Sequence, residues 1–377
     1  QAGALSVTGT TGLTAGTGDI TLLNENNDFK GAVTASGKDV KIRDANALDA
    51  TVTATGVAQL QAGGTLSTVL AVTGNTNLTS GGNLTMSGNS ADLIVNSGGT
   101  TSLGETTLSG KLDLTSQESI TQTGKLVVGS TADITSTDGD ITLLNENNDF
   151  KGAVTASGKD VKIRDANALD ATVTATGVAQ LQAGGTLSTV LAVTGNTNLT
   201  SGGNLTMSGN SADLIVNSGG TTSLGETTLS GKLDLTSQES ITQTGKLVVG
   251  STADITSTDG DITLLNENND FKGAVTVAGR NVSIASLSNL TLAQATVQSN
   301  FTVASAGNLV FGPTNVGGNL SATTAGGSIT QTGAILVLGK ATFDAGDGSI
   351  DLSNPDNFFP SGVDAKGSSI VITGDSN

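Results

Sequence analysis

Asp138-Gly-Asp-Ile-Thr-Leu-Leu-Asn-Glu-Asn-Asn-Asp-Phe150 decides the fold, because the chain says it more than once. Its Gly139–Phe150 part stands unchanged at Gly18–Phe29 and at Gly260–Phe271. A degenerate echo follows as Asp347-Gly-Ser-Ile-Asp-Leu-Ser-Asn-Pro-Asp-Asn-Phe-Phe359. Extending outward, residues 18–138 recur without a change as 139–259, an offset of 121 residues. A third copy begins at 260 and holds through Thr276; residues 277–377 diverge, starting where Val277 replaces Ala35 and Ala156. Self-similarity on this scale marks an architecture of stacked units, each too small to bury its own core.

Inside each unit the chain breaks into short runs of alternating apolar and polar residues closed by Gly, Asn, Asp or Ser. Gly18-Asp-Ile-Thr-Leu-Leu, Asp39-Val-Lys-Ile-Arg, Ala50-Thr-Val-Thr-Ala, Gly82-Asn-Leu-Thr-Met and Lys111-Leu-Asp-Leu-Thr are examples. Alternation is the signature of a strand with one face buried. Val40 and Ile42 then share the inner face, and Lys41 and Arg43 the outer. Turn residues arrive every six to eight positions, too often for helices and without the two-residue hairpin signal. The expected fold is all-β: a parallel β-helix, or solenoid, with about 20 residues and three strands per coil and about six coils per unit. At one strand spacing of ~4.8 Å per coil, residues 1–377 read as one continuous rod of roughly 90 Å.

Composition fits a narrow core. The 377 residues include 52 Gly, 3 Pro and 2% aromatics, with no His, Cys, Trp or Tyr. Imidazole bases, thiol nucleophiles, Cys/His zinc sites and disulfides are thereby excluded, leaving carboxylates and amines for any chemistry. No catalytic, cofactor or metal residue is assigned, and the chain is read as not an enzyme. Net charge is −17, and each full unit holds 12 acidic and 6 basic residues. Nucleic acid is not an expected partner: the densest basic stretch, Lys38–Arg43, is interleaved with Asp39 and Asp44 and reads as a solvated strand face. No apolar run reaches 18 residues, so no membrane-spanning helix is expected, and a start at Gln1-Ala-Gly-Ala without signal-peptide features reads as an internal piece.

Three local features admit a functional reading beside a structural one. Asp138-Gly139-Asp140 with Asn145–Asp149, and likewise Asp344–Asp351, offer hard oxygens to Ca²⁺, though Asx residues at turns mostly bond their own backbone. Phe29, Phe150 and Phe271 fall at one point of successive units, either packing a corner or stacking on a sugar. Acids brought together by successive coils could form a carboxylate pair of the glycosidase type.

Ile120-Thr-Gln-Thr-Gly124, Asp140-Ile-Thr-Leu143, Asn148-Asp-Phe150, Gly152-Ala-Val-Thr155 and Asp165-Ala-Asn-Ala-Leu169 resemble the repeats of filamentous-haemagglutinin-like exoproteins. Within that group the chain is most similar to the large cyclic-di-GMP-regulated biofilm matrix adhesins of pseudomonads. The resemblance implies a right-handed β-helix stalk, secreted through an outer-membrane two-partner transporter to the cell surface or extracellular matrix. Its implied partners are matrix exopolysaccharide or like adhesins on neighbouring cells. The secretion motif of the Asn-Pro-Asn-Gly-Ile type is absent; Asn354-Pro-Asp-Asn-Phe358 is the nearest string. On this reading the chain is a rigid spacer promoting cell–cell aggregation. The alternatives are a polysaccharide-binding surface within the rod and a polysaccharide-active β-helix enzyme or tailspike.

Overall fold

A computed structural model describes residues 1–374. Every regular element among them is a β-strand, and the strands pair in parallel with the strand one coil before and one coil after. The fold is the expected one, a parallel β-solenoid. Contacts divide it into two compact units, Gln1–Gly185 and a second beginning at Thr186.

In the first unit one sheet stacks the five-residue strands Val40–Asp44, Ala58–Ala62, Thr76–Ser80, Leu93–Ser97, Leu112–Ser116, Ala132–Ser136 and Val154–Gly158. The strands between them are longer: Leu48–Ala54, Leu66–Val72, Leu84–Ser90 and Thr101–Leu108. Each long strand covers two sides of the coil. The halves of Thr101–Leu108 pair separately with Ile120–Gln122 and Leu126–Val128, so the third strand of a coil appears wherever the long one breaks. Gly88 marks such a bend. Its φ of 115° lies where L side chains are strained, and a Cβ there would overlap the Leu70 carbonyl oxygen.

Register shows how a coil is made. Successive strands advance by 17 residues from Thr76 to Leu93 and by 22 from Ala132 to Val154, the extra length going into turns. Inward positions repeat the same small set of aliphatics, with Val40, Ile42, Leu60, Leu78, Leu93 and Leu114 all at most 1% exposed. Each such large side chain contributes roughly 1.5–3 kcal/mol by leaving water. The strand ends turn hydroxyls inward, and these bond one another: Thr101 Oγ1 to Ser116 Oγ at 3.1 Å, Ser90 Oγ to Thr76 Oγ1 at 2.9 Å. At the turns, Asx side chains cap the next coil. Asp39 Oδ1 accepts the Val57 amide at 3.1 Å, Asn83 Oδ1 that of Thr100 at 3.0 Å and Asp92 Oδ1 that of Lys111 at 3.0 Å.

The repeat does not close on a whole number of coils, which refines the expected six. From Ile20 the sheet passes through Val40, Ala58, Thr76, Leu93, Leu112 and Ala132 to Val154. The copy of Ile20 is Ile141, and it lies in a different sheet, stacked between Ile120 and Val161. Val154 copies Val33, which in its own unit sits in that other sheet between Thr11 and Ala50. One repeat therefore spans about six and one-third coils, and identical residues step to the next face.

The second unit is built the same way, from Leu187–Val193 through Ser369–Ile372. Its later coils fill the core with rings. Phe301, Phe311 and Phe343 are fully buried; Phe343 meets Phe311 edge-on at 6.2 Å and Phe359 at 6.1 Å.

Candidate functional site

The string that decides the fold forms a buried clamp. Asn148, fully buried, accepts on Oδ1 from the Leu126 amide and from Gln122 Nε2, both at 2.8 Å. Its Nδ2 donates to Gln122 Oε1 at 2.8 Å and to the Leu143 carbonyl at 3.2 Å. All polar atoms of the amide are satisfied, so the chain can turn sharply between Leu143 and Asp149 without leaving a polar atom stranded. The same pair recurs as Gln243 with Asn269 and as Gln331 with Asn357, and Gln1 meets Asn27 in the corresponding way. Each pair is 26 residues apart, even where the repeat contracts before the tail. The spacing was there to be seen in the sequence. A single Gln so far from its Asn gives no local pattern until the register brings them together.

Beside the clamp, Asp165 is buried and accepts the Phe150 amide at 2.8 Å and the Asn167 amide at 2.7 Å. Burial pushes its carboxyl above the ordinary range against the pull of those amides. Phe29, Phe150, Phe271 and Phe359 are at most 4% exposed, so these rings pack a corner and do not present a face to a sugar.

The oxygens considered for Ca²⁺ are largely engaged by protein donors. Asn145 Oδ1 accepts the Asn147 amide at 3.0 Å in an Asx turn, and Asp140 Oδ1 accepts the Asp160 amide at 3.2 Å. Asp149 pairs with Lys151 at 2.5 Å, and Gln117 donates to Asp138. In the tail, Asp344 takes the Gly346 amide at 2.9 Å and Lys366 at 3.2 Å. Among the described residues, no three acidic side chains converge as a metal would require.

Coil stacking does bring acids together on the surface. Asp113 stands in register with Asp133, and Asp234 with Asp254, each pair exposed on a strand's outward side. Lys41 and Arg43 also point outward, half-exposed, as the alternation required. Of the acids interleaved with them in sequence, one turns inward and one stays at the strand's start, where its copy Asp160 lies 4.0 Å from Lys162. Asp44 is 1% exposed and serves the Phe29 and Asn46 amides, and Asp39 caps Val57. A polar depression of about 350 Å³ forms where the Gly88 bend bows the surface, lined by Ser87, Gly88, Asn89, Glu105 and Thr107. Its copy holds Ser208, Gly209, Asn210, Glu226 and Thr228. Lys125 lies 3.3 Å from Glu105.

Comparison with protein families gives one match, to the family described as repeats of unknown function (DUF5649), over residues 1–36, 90–157, 211–278 and 298–366. The chain belongs to this family. Each matched segment of the DUF5649 chain contains one clamp asparagine, Asn27, Asn148, Asn269 or Asn357. The clamp and its corner are thus common to all four matches, whereas the Lys41/Arg43 strand lies outside them. No curated protein and no solved structure matches the chain.

Proposed function

We propose that this chain is a spacer segment of a large secreted bacterial surface adhesin, one whose repeats set reach and stiffness in cell–cell aggregation and biofilm matrix assembly. The observation that carries this reading is the identity of residues 18–138 and 139–259 in a fold where each coil pairs only with its neighbours. Duplicating such a unit adds length without new chemistry. The resemblance to filamentous-haemagglutinin-like exoproteins supplies the setting: export by two-partner secretion and a place on the cell surface or in the matrix.

Shortening tests the reading. Removing one 121-residue unit from the parent protein should leave aggregation intact and reduce the spacing between cells seen by electron microscopy. Loss of aggregation with unchanged spacing would overturn the spacer role. A second reading, polysaccharide binding along the rod, is favoured by the recurring polar depression at Ser87–Asn89 and Glu105, whose carboxylate, amide and hydroxyls suit sugar hydroxyls. Saturable binding of matrix exopolysaccharide by the isolated chain, abolished by Glu105→Gln with Glu226→Gln, would establish that reading.

A further inference from the structure

One outward row of the first unit's five-residue sheet reads, coil by coil, Lys41, Gln59, Asn77, Ile94, Asp113, Asp133. Arg43 stands beside Lys41 on the same strand side. The row is basic at one end and acidic at the other. Lys111, exposed two residues before Asp113, offsets only one of the two acids. Four coils at ~4.8 Å put Lys41 ~19 Å from Asp113, about two Debye lengths at 0.1 M salt. The two ends therefore do not neutralise each other within one chain. Among the described residues, none of Lys41, Arg43, Asp113 or Asp133 has an ion-pair partner, while Lys162, the copy of Lys41, lies 4.0 Å from Asp160.

Two further observations show that this pattern is not a neutral scatter of surface charge. Asp113 stacks directly on Asp133, an arrangement that destabilises the sheet. The copied unit repeats it with Asp234 and Asp254. Beyond Thr276 both ends vanish together. Ser283 and Ala285 take the places of Lys41 and Arg43, and Ser321 and Thr342, stacked in register, those of Asp113 and Asp133. The lysines that the tail does carry are paired at home, Lys340 with Asp364 at 2.5 Å and Lys366 with Asp344 at 3.2 Å.

We propose that this face is a homotypic docking surface, on which a second copy of the chain lies antiparallel about a two-fold axis running along Thr76–Ser80. That operation reverses the order of coils and keeps the position along the strand. Lys41 of each copy then faces Asp113 of the other, with Arg43 two residues along the strand and Asp133 one coil further on, and the Asn77 rows face each other at the axis. The contact is made twice, as an isologous interface requires. Charge selects the occupant. An acidic polymer would satisfy Lys41 and Arg43 but be repelled by Asp113 and Asp133, whereas a partner matching both ends must carry both signs at this spacing, as the chain itself does. The proposal stands apart from the adhesin reading and needs no cell-surface context.

Sedimentation equilibrium of the whole chain at 0.05–0.1 M salt tests it, with charge reversal in both repeats. Wild type should self-associate, with affinity falling at least tenfold by 0.5 M salt. Lys41→Glu/Arg43→Glu/Lys162→Glu/Arg164→Glu and Asp113→Lys/Asp133→Lys/Asp234→Lys/Asp254→Lys should each be monomeric. Mixed in equal amounts they should associate again, because one contact is then restored with its signs exchanged and the other is the native pairing of Lys41 and Arg43 with Asp113 and Asp133. Wild-type monomers at the highest attainable concentration, self-association of either variant alone, or failure of the mixture would each overturn the proposal. Unchanged circular dichroism of the variants keeps misfolding from passing as a result.

Discussion

The identical repeats and the divergent coils after Thr276 solve the same packing problem with different residues. The repeats fill a narrow interior with Val, Ile, Leu and Ala and line the strand ends with inward Ser and Thr, such as Thr101 with Ser116. The tail puts rings where the repeats have aliphatics, Phe311 in the place of Leu103 and Phe343 in that of Ile134, so that Phe311, Phe343 and Phe359 form an edge-to-face chain through successive coils. Outside, the contrast reverses. Among the described residues, Lys41, Arg43, Asp113 and Asp133 of the first repeat stand without ion-pair partners while Lys151 pairs with Asp149 only two residues away, whereas the tail pairs Lys340, Lys366 and, at its start, Arg280 with carboxylates one coil away. Stability in the tail comes from few large contacts. In the repeats it is spread over many small ones, and that uniformity lets whole units be duplicated.

The largest expected effect sharpens this contrast. Phe343→Ala should cost about 3–5 kcal/mol, since it removes a fully buried ring and both of its aromatic partners' contacts. Leu114→Ala in a repeat should cost about 2–4 kcal/mol, and hydrogen exchange should show the damage confined to adjacent coils. Equal, chain-wide loss of protection from both variants would break the comparison.

The clamp is what the two regions share. Asn148→Ala and Asn357→Ala should each cost about 3 kcal/mol, because the Leu126 and Ile335 amides are left buried without acceptors. Urea denaturation of each unit measures this. A clearly smaller cost at Asn357 would mean that the tail no longer depends on the clamp.

An imperfection of the repeats predicts a gain. Thr68, 3% exposed, and its copy Thr189 have buried hydroxyls without a hydrogen-bond partner. Thr68→Val should therefore stabilise the chain by about 1 kcal/mol; a lower melting temperature would contradict this account of the site.

The smallest effect is electrostatic. The Arg280 guanidinium, aided by the Asn281 side chain and amide, holds the Asp261 carboxyl down at about 2 from its ordinary 3.8. A depressed carboxyl contributes stability that is present above its unfolded value and lost as pH falls through the folded one. The contribution should thus fade between about pH 4 and pH 2, and it is modest for so exposed a pair. Carbon-detected titration should place Asp261 near 2 and show it moving back toward 3.8 in Arg280→Ala. An unmoved value would assign the shift to the Asn281 contacts alone.

Much of this was legible in the residues. Alternation in Asp39–Arg43 placed Val40 and Ile42 inside and Lys41 and Arg43 outside, and turn rhythm gave the coil. What escaped was set by register. Asp44 reads as a surface acid beside Arg43, yet the strand's alternation continues one residue further and carries it inward, where it accepts two amides. Gln122 and Asn148 look unrelated until one coil lies on the next. The fractional coil escaped for a similar reason: turn lengths vary between advances of 17 and 22 residues, so an average period does not reveal on which face a copy lands.

That stepping of copies from face to face is the central claim, and cysteine cross-linking tests it directly in a chain with no native cysteine. Asp133 is in register with Thr155, whereas Thr142, the copy of Thr21, stacks on Thr121 in another sheet. Adjacent parallel strands bring Cα atoms within disulfide range. Thr121→Cys with Thr142→Cys should oxidise to an intramolecular disulfide, as should Asp133→Cys with Thr155→Cys, and Asp113→Cys with Thr142→Cys should not. A repeat that closed on six whole coils would stack Thr142, the copy of Thr21, on Asp113, five coils after Thr21, so the reverse outcome would contradict the account.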